Sequence, residues 1–428
     1  MSDRRVTSRF DGATIGAIAL VTLGTVFGEP VLFVAASVPL FYLLVEWTTG
    51  PPEPSIAVER RIAPDPAAPG ERTEITLSVH NEGASTLTDL RVVDRLPEGL
   101  PVDDGSPRGC LSVRPGETAS IEYTVVPRQG TYAFDSPVVR ARSLSATGVY
   151  TDSPEATGAT TLTCRRDAGE VPQLRGSLRR FGTRPVDRGG EGLQFYAARE
   201  YQAGDDVRRI NWRDYAKTGD LTTIQFAETS ATETVVLVDA TSAGRVARES
   251  GYPTATELAV YAADRVVARL LADGDDVGVC ALGIDASDVT VPVSSAGRDR
   301  PWVPPGSDDA TRTRLDAVFD ALVAATDTAA ARTDRLSTDL RERLPARADV
   351  VVVTPALDSE TVELATSLST VGHHVGVVSP DVTDRRGPGR TVAHVERQLR
   401  LTRLRGAGAT VFDWDTRRSL AAAMEVAR

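Results

Sequence analysis

The sequence predicts a multidomain fold: an N-terminal helical hairpin, then an all-β sandwich, then a doubly wound α/β domain. Two apolar segments, at about 13–27 and 31–47, are separated by Gly28-Glu29-Pro30. Residues 55–165 contain runs that alternate apolar and polar side chains between turn residues, a pattern typical of sandwich strands. From 233 to 428 short apolar runs alternate with helical patterns, which indicates parallel strands covered on both faces.

Each N-terminal apolar segment is a little shorter than the ~20 residues that span a bilayer comfortably. We nevertheless expect residues 1–50 to form a membrane anchor of two transmembrane helices, with Trp47 at the interface. Arg4, Arg5 and Arg9 place the N-terminus in the cytoplasm by the positive-inside rule. Two crossings then return the soluble domains to the cytoplasmic side of the cell membrane. A cleaved signal peptide is the alternative, but the second apolar segment argues against removal.

The middle of the chain is predicted to be a spacer. Alternating strand patterns occur at 74–79, 90–94 and 119–125, separated by Pro-Gly and Asn-containing turns. The sequence of this region resembles the immunoglobulin-like repeats of archaeal and bacterial surface proteins. No catalytic cluster appears in it.

The C-terminal region is predicted to alternate strands and helices around one sheet. The expected strands are 234–239, 276–282, 349–354, 374–379 and 409–413, with a possible edge strand at 289–293. The expected helices are 254–272, one or two within 311–343, 359–371 and 391–406. Ligands of such sheets bind at the carboxyl ends of strands, so Asp239 and Thr354 lie where a site is expected.

Composition limits the partners and the compartment. The net charge is −11 and the pI about 5.1, which argues against a nucleic-acid partner. Lys217 is the only lysine, a composition typical of a salt-adapted organism such as a halophilic archaeon, or of a very GC-rich one. The cysteines at 110, 164 and 280 are far apart, and this spacing predicts buried free thiols rather than disulfides or a zinc site.

The densest polar and aromatic cluster lies in the segment 166–232, between the sandwich and the α/β domain. Its candidate residues are Arg199, Glu200, Tyr201, Gly204, Asp205, Asp206, Arg208, Arg209, Asn211, Trp212 and Arg213. The charges nearly balance, so ion pairs could lock the entry to the domain. Alternatively the cluster is a docking site, because Trp, Tyr and Arg are the favoured anchors of interfaces. We expect Trp212 to be buried and Arg208, Arg209 and Arg213 to be exposed.

The pattern G-L-x-F-x-x-x-R-E-Y-x-x-G-D-D-x-R-x-I-N-W, which begins at Gly192, closely resembles the signature of the DUF58 family of uncharacterised proteins. The run Val235–Asp239 that follows resembles the opening strand of a von Willebrand factor A-like domain. The resemblance implies association with MoxR-type AAA+ ATPases. It therefore favours a membrane-tethered, non-catalytic scaffold or adaptor that works in the assembly or maturation of protein complexes.

Domains resembling von Willebrand factor A often hold Mg²⁺ through Asp-x-Ser-x-Ser and a Thr and an Asp from other loops. Asp239 matches here, and Thr241 keeps the hydroxyl of the first Ser, but Ala243 has no side-chain oxygen. Asp358 matches only after a shift, and the central Thr is not identified. We therefore expect a degenerate metal site of Asp239, Thr241 and Asp358, with a metal-dependent adhesion or ligand-binding module as the alternative function. Asp239 could instead cap the following turn.

Catalytic motifs are absent from the sequence. It contains neither a Gly-x-Ser-x-Gly elbow nor a phosphate-binding P-loop. His373 and His374 begin a predicted buried strand, where a packing role is expected. We expect no catalytic residues and no enzymatic activity; a hydrolase with an unrecognised site is the last alternative.

Overall fold

The computed structural model of the chain describes residues 3–6, 11–48, 54–143, 148–173, 189–190, 194–202, 210–227, 233–296, 299–325, 340, 342–346, 348–383 and 387–426. Contacts between Cα atoms divide the chain into two units, Met1–Ala168 and Gly169–Arg428. The predicted all-β region lies in the first unit and the predicted α/β region in the second.

A helical hairpin forms at the N-terminus, as predicted. It follows a short strand, β1 (Asp3–Val6), and consists of α1 (Asp11–Phe27) and α2 (Pro30–Thr48). Gly28 joins the helices with φ of 65°, a left-handed conformation that favours glycine. The helices pack closely, because a Cβ atom at Gly24 would lie only 3.0 Å from the Phe33 ring.

The predicted membrane crossings are not found. Within the described part of the chain, no helix combines the length and the apolar character that a crossing requires. The two expected helices, at about 13–27 and 31–47, are therefore confirmed, whereas the expected membrane crossings are not supported.

The remainder of the first unit is a β-sandwich. Its strands are β2 (Ile56–Ala63), β3 (Thr73–Asn81), β4 (Leu87–Val93), β5 (Val102–Gly105), β6 (Arg108–Val113), β7 (Thr118–Val125), β8 (Gly130–Ala133), β9 (Val138–Arg142), β10 (Gly148–Asp152), β11 (Thr157–Gly158) and β12 (Thr161–Cys164). The two main sheets have the orders β1-β10-β9-β4-β6 and β11-β2-β3-β7-β5, and β12 pairs with β8. Alternate residues of both sheets point inward, so their apolar side chains form the core between the sheets.

One charged network is buried inside the sandwich. The Arg60 side chain is 1% exposed and donates from Nε and Nη2 to the two oxygens of Asp94, at 3.2 and 2.6 Å. The Tyr123 hydroxyl donates to Asp94 Oδ2 at 2.7 Å, and burial raises the pKa of Tyr123. The Arg60 guanidinium also lies 4.8 Å from the centroid of the Phe134 ring.

Free thiols occur at all three cysteines. Cys164 and Cys280 are buried, as expected. Cys110 is exposed, because it lies on the strand β6 at a position whose side chain faces away from the core. The expectation of burial was therefore wrong for this residue.

The second unit contains two sheets. Its strands are β13 (Gly189–Gly190), β14 (Gln194–Glu200), β15 (Thr222–Ala227), β16 (Glu233–Asp239), β17 (Asp276–Leu282), β18 (Ser294–Ala296), β19 (Arg300–Gly306), β20 (Asp349–Val353), β21 (Val375–Asp381) and β22 (Thr410–Asp415). Its helices are α3 (Trp212–Thr218), α4 (Ala255–Asp273), α5 (Asp309–Ala324), α6 (Glu360–Val371), α7 (Pro388–Gly406) and α8 (Leu420–Val426). The small sheet has the order β13-β15-β14, and the large one β18-β19-β17-β16-β20-β21-β22.

The large sheet is doubly wound around β16. Strands β17, β16, β20, β21 and β22 are parallel to one another. The chain runs from β16 to β17 on one side and returns to β20 on the other, so the strand order reverses at β16. Every residue of β16 except Glu233 is buried. This burial on both faces explains the continuous apolar run seen in the sequence.

The antiparallel edge of this sheet differs from the prediction. The expected edge strand at 289–293 does not form, and β18 and β19 form a hairpin instead. The strand β19 forms although its residues Pro301, Pro304 and Pro305 cannot donate ladder hydrogen bonds. The register shifts beside these prolines, where Gly278 allows close approach: a Cβ atom there would lie 2.7 Å from Val303 O.

Candidate functional site

Asp239 lies at the carboxyl end of β16, the strand at which the sheet order reverses. Thr354 follows the neighbouring strand β20, and its backbone N–H donates to Val378 O of β21. The loop from Thr354 leads into α6, whose first turn carries Thr361. The carboxyl ends of adjacent parallel strands therefore bring these three side chains together, although they lie far apart in the sequence.

The buried Asp239 carboxylate accepts four hydrogen bonds. Its Oδ1 atom accepts from the Thr241 backbone N–H at 3.2 Å and from Thr241 Oγ1 at 2.8 Å. Its Oδ2 atom accepts from Thr354 Oγ1 at 2.6 Å and from Thr361 Oγ1 at 3.0 Å. A carboxylate has about four acceptor positions, so these donors satisfy Asp239 within the protein. Three of the four donors are hydroxyls, and each hydroxyl oxygen also carries lone pairs.

Asp358 places a second carboxylate beside the first. Its Oδ2 atom lies 3.5 Å from Thr241 Oγ1, and its Oδ1 atom accepts from the Thr361 N–H at 3.3 Å. Burial, and then the charge of Asp239, raise the pKa of Asp358 above its ordinary value. The two acids therefore form a like-charge pair whose repulsion a bound cation would relieve.

The donor set at this site fits a hard divalent cation in its chemistry. Asp239, Thr241 and Asp358, the three residues predicted from the sequence, are brought together and offer carboxylate and hydroxyl oxygens, the ligands that Mg²⁺ prefers. Ala243 supplies no oxygen, as the sequence indicates. In the part of the chain that the structure describes, no group of three or more His, Cys, Asp or Glu residues is arranged to hold a metal. A cation here would thus depend on threonine hydroxyls.

Thr354 and Thr361 also donate to Asp239, although neither was among the metal ligands predicted from the sequence. Thr354 was noted only for its position after a strand. Thr361 was missed because it lies on a helix, whereas the expected ligands follow strands. Its position three residues after Asp358, in the first helical turn, was the available signal.

The loop that carries Thr354 and Asp358 is held from its other side by α7. Arg397 is completely buried and donates from Nε to Pro355 O at 3.1 Å and from Nη2 to Asp413 Oδ1 at 2.7 Å. Nη2 also donates to Ser379 O at 3.1 Å and to Ser379 Oγ at 2.9 Å. Burial opposes the charge of Asp413, but the hydrogen bond and charge of Arg397 outweigh it and lower the pKa of Asp413. Arg397 thus joins the loop after β20 to the ends of β21 and β22.

The segment with the DUF58-like signature is described only in part. Gly204, Asp205, Asp206, Arg208 and Arg209 lie outside the described residues. Arg199 belongs to β14 and Arg213 to α3, but the structure does not describe their side chains. Glu200 ends β14 and is exposed.

The described backbone of this segment joins the small sheet. The Tyr201 N–H donates to Leu221 O at 2.9 Å, and the Asn211 N–H donates to Thr222 O at 2.8 Å. Ile210 forms a bridge with Thr223. Tyr201, Ile210 and Asn211 are therefore all held against β15 or the turn before it.

Trp212 was expected to be buried, and this expectation was wrong. Its side chain is 54% exposed, because Ile210, two residues earlier, occupies the buried position. Trp212 is the first residue of α3, and Tyr215 on the same face is 43% exposed. The two rings meet edge to face, with centroids 6.1 Å apart and an interplanar angle of 85°. The helix therefore presents a preformed aromatic pair to the solvent.

Several solved structures share a likeness with parts of this chain at low TM-scores. A CARDB domain of the PF1109 protein from Pyrococcus furiosus, in complex with di-metal ions, is 16% identical; the match covers 26% of this chain and 89% of that one, with a TM-score of 0.18. Salmonella alpha-2-macroglobulin is 20% identical over 27% of this chain and 10% of its own, with a TM-score of 0.20. A GH20 exo beta-N-acetylglucosaminidase from Vibrio harveyi is 8% identical over 84% and 76%, with a TM-score of 0.19. These scores are too low to support an argument about function.

Comparison with protein families was more informative. A search of curated proteins found no match to the chain. Residues 67–143, within the sandwich, match the model of the NPCBM-associated, NEW3 domain of alpha-galactosidase. Residues 197–389 match the model described as protein of unknown function DUF58, and this range contains most of the signature segment and the loops around Asp239. Residues 197–389 of this chain are therefore similar to the DUF58 family.

Proposed function

We propose that the protein is a non-catalytic scaffold or adaptor that docks a MoxR-type AAA+ ATPase during the assembly or maturation of protein complexes. The ATPase is the partner implied by the resemblance to the DUF58 family. The observation that carries the proposal is the exposed pair of Trp212 and Tyr215, which lies within the residues 197–389 that match the model of that family.

The geometry of this pair suits a binding anchor. Aromatic side chains lose little conformational entropy on binding and cover a large apolar area. Their edge-to-face contact already fixes both rings, so less ordering remains to be done when a partner binds. Lys217 on the same helix is exposed and adds a positive charge beside the pair. We propose that Arg208, Arg209 and Arg213 contribute further contacts.

A pull-down of the cognate ATPase by the full chain tests the proposal. The double variant Trp212→Ala/Tyr215→Ala should lose most of the captured ATPase, and so should the triple alanine variant at Arg208, Arg209 and Arg213. Val426→Ala is the matched control, since it truncates another exposed apolar side chain of the same unit. Retention of the ATPase by both multiple variants would show that this docking surface is wrong.

We further propose that the N-terminal hairpin attaches the protein to the cell membrane, with the remaining domains in the cytoplasm. The support is that large apolar side chains of both helices, such as Ile15, Val26, Val31 and Val34, are mostly exposed. Flotation of the full chain with lipid vesicles, compared with a variant that lacks residues 11–48, tests this. Equal flotation of both would contradict it.

A second candidate function is a metal-dependent adhesion or ligand-binding module. In this alternative the α/β unit is a von Willebrand factor A-like domain, and the observation that favours it is the convergence of Thr241 and Asp358 on Asp239. Asp239, Thr241 and Asp358 would hold Mg²⁺. Calorimetric titration of the full chain with Mg²⁺ or Mn²⁺ tests it: heat that Asp358→Asn abolishes would support the module, and no heat at millimolar metal would exclude it.

A further inference from the structure

Helix α7 has a buried face and an apolar ridge on the opposite side. Arg397, Leu401 and Leu404 are buried and fix the helix against the sheet. Val392, Val395 and Leu399 are 56%, 51% and 57% exposed. Residues spaced i, i+3 and i+7 share one side of a helix, so these three side chains form a continuous ridge that faces away from the sheet. Single exposed apolar residues are common, but an aligned row indicates an interaction surface.

The exposed charged residues of α7 are mostly basic, and Arg403 lies beside the ridge, four residues after Leu399. The exposed or partly exposed charged residues of α7 are Arg390, Glu396, Arg400, Arg403 and Arg405. Four of these five are basic, whereas the whole chain has a net charge of −11. The one acid, Glu396, already lies 3.5 Å from Arg400. The helix is therefore a local basic surface on an acidic protein, which attracts an acidic partner.

We propose that the ridge of α7 is a docking surface for an acidic amphipathic helix of a partner protein. The apolar side chains of that helix would cover Val392, Val395 and Leu399, and its carboxylates would face the arginines beside them. This surface lies on a different helix from Trp212 and Tyr215. The inference therefore does not depend on the proposed ATPase contact.

Two other occupants fit the surface less well. A second copy of the chain would bring the same arginines of α7 together, and like charges across an interface are costly. A lipid surface is normally bound by helices with a wide apolar face that includes Trp or Phe. The exposed ridge of α7 has only three aliphatic side chains, and its opposite face is held against the sheet.

Fluorescence anisotropy with labelled synthetic peptides tests the proposal on the full chain. The acidic probe is a helix of about 18 residues with Leu at i, i+3 and i+7 and Glu on both flanks. The second probe replaces each Glu with Lys. We expect the acidic probe to bind at least about tenfold more tightly than the basic one, because charge sets the choice of partner. Leu399→Glu should weaken binding of the acidic probe by about tenfold or more, and Arg403→Glu by a smaller factor.

Thr313→Glu is the matched control, because it adds the same charge to an exposed threonine on a different helix, α5, away from the ridge. It should weaken binding of the acidic probe much less than Leu399→Glu does. Equal affinity for the two probes, or equal effects of the two glutamates, would overturn the proposal. Two further results would overturn the proposal. The first is that the wild-type chain sediments as a dimer and Leu399→Glu dissociates it. The second is that the wild-type chain floats with lipid vesicles and Leu399→Glu abolishes the flotation.

Discussion

Thr361 Oγ1 donates a hydrogen bond to Asp239 Oδ2 across 3.0 Å, although 122 positions separate the two residues in the chain. This bond joins the first turn of α6 to the carboxyl end of β16. It also completes the set of four donors around a carboxylate that is almost inaccessible to water. The stability of the site therefore depends on neutral hydroxyl donors rather than on a paired cation.

Replacing Thr361 with valine should destabilise the α/β unit by about 1–3 kcal/mol, because a buried carboxylate oxygen loses a hydrogen-bond donor. Thr370→Val is the control, since the Thr370 hydroxyl is exposed and bonds only to the helix backbone at Thr366 O. Urea unfolding followed by tryptophan fluorescence measures the difference, because three of the four tryptophans lie in this unit. Equal midpoints for the two variants would contradict the role of Thr361.

Replacing Asp358 with asparagine should stabilise the protein at neutral pH. The pKa of Asp358 is raised by burial and by the charge of Asp239, so the folded chain binds this proton more tightly than the unfolded chain. The ionised group therefore destabilises the fold, and this penalty grows as the pH rises above the ordinary carboxyl value of 3.8. Unfolding midpoints measured from pH 4 to 7 should show a gain for Asp358→Asn that shrinks toward pH 4. A gain independent of pH would count against the charge argument.

Replacing Arg397 with methionine should cost about 3–5 kcal/mol, since it leaves Asp413 without its charged partner. The pH dependence should also change. The lowered pKa of Asp413 contributes stability above the ordinary carboxyl value, and this contribution is lost as the pH falls through the folded pKa. In Arg397→Met, the loss of stability that accompanies protonation of Asp413 at acidic pH should disappear. The exposed Arg403→Met on the same helix is the control for chemical denaturation, and a similar effect of both changes would contradict the account.

In the sandwich, Asp94→Asn should destabilise the fold by about 3–5 kcal/mol, because Arg60 is left as a buried charge without a counter-ion. Glu59→Gln on the same strand as Arg60 is the control. Glu59 pairs with Arg61 at an exposed position, where ion pairs contribute little. Thermal unfolding followed by circular dichroism should separate the two variants clearly. A similar small shift for both would show that the buried pair contributes no more than the exposed one.

The strands and helices of the α/β unit could largely be predicted, because burial on both faces makes each central strand a continuous apolar run, as in Val235–Val238. The strand β19 could not be predicted, because its prolines interrupt the strand pattern. It forms because Gly278 on the neighbouring strand has no side chain and lets β19 approach closely. The hairpin helices were predicted from apolar content, but no helix among the described residues is long and apolar enough for a bilayer crossing.

At the candidate site, Asp239, Thr241 and Asp358 were predicted from the resemblance to a metal-binding motif, and Asp239 and Thr354 also from their positions at the ends of strands. Thr361 and Arg397 were missed, since each contributes from a helix and reaches the site only through tertiary packing. The exposure of Trp212 was also missed: an aromatic beside an apolar strand favours burial, but Ile210 occupies the inner position.

The affinity of the full chain for the cognate MoxR-type ATPase, measured by isothermal titration calorimetry, tests the central claim most directly. We predict that the wild-type chain binds and that Trp212→Ala weakens binding by at least about tenfold, the loss expected for a central aromatic anchor. Unchanged affinity of Trp212→Ala, or no binding by the wild-type chain, would contradict it.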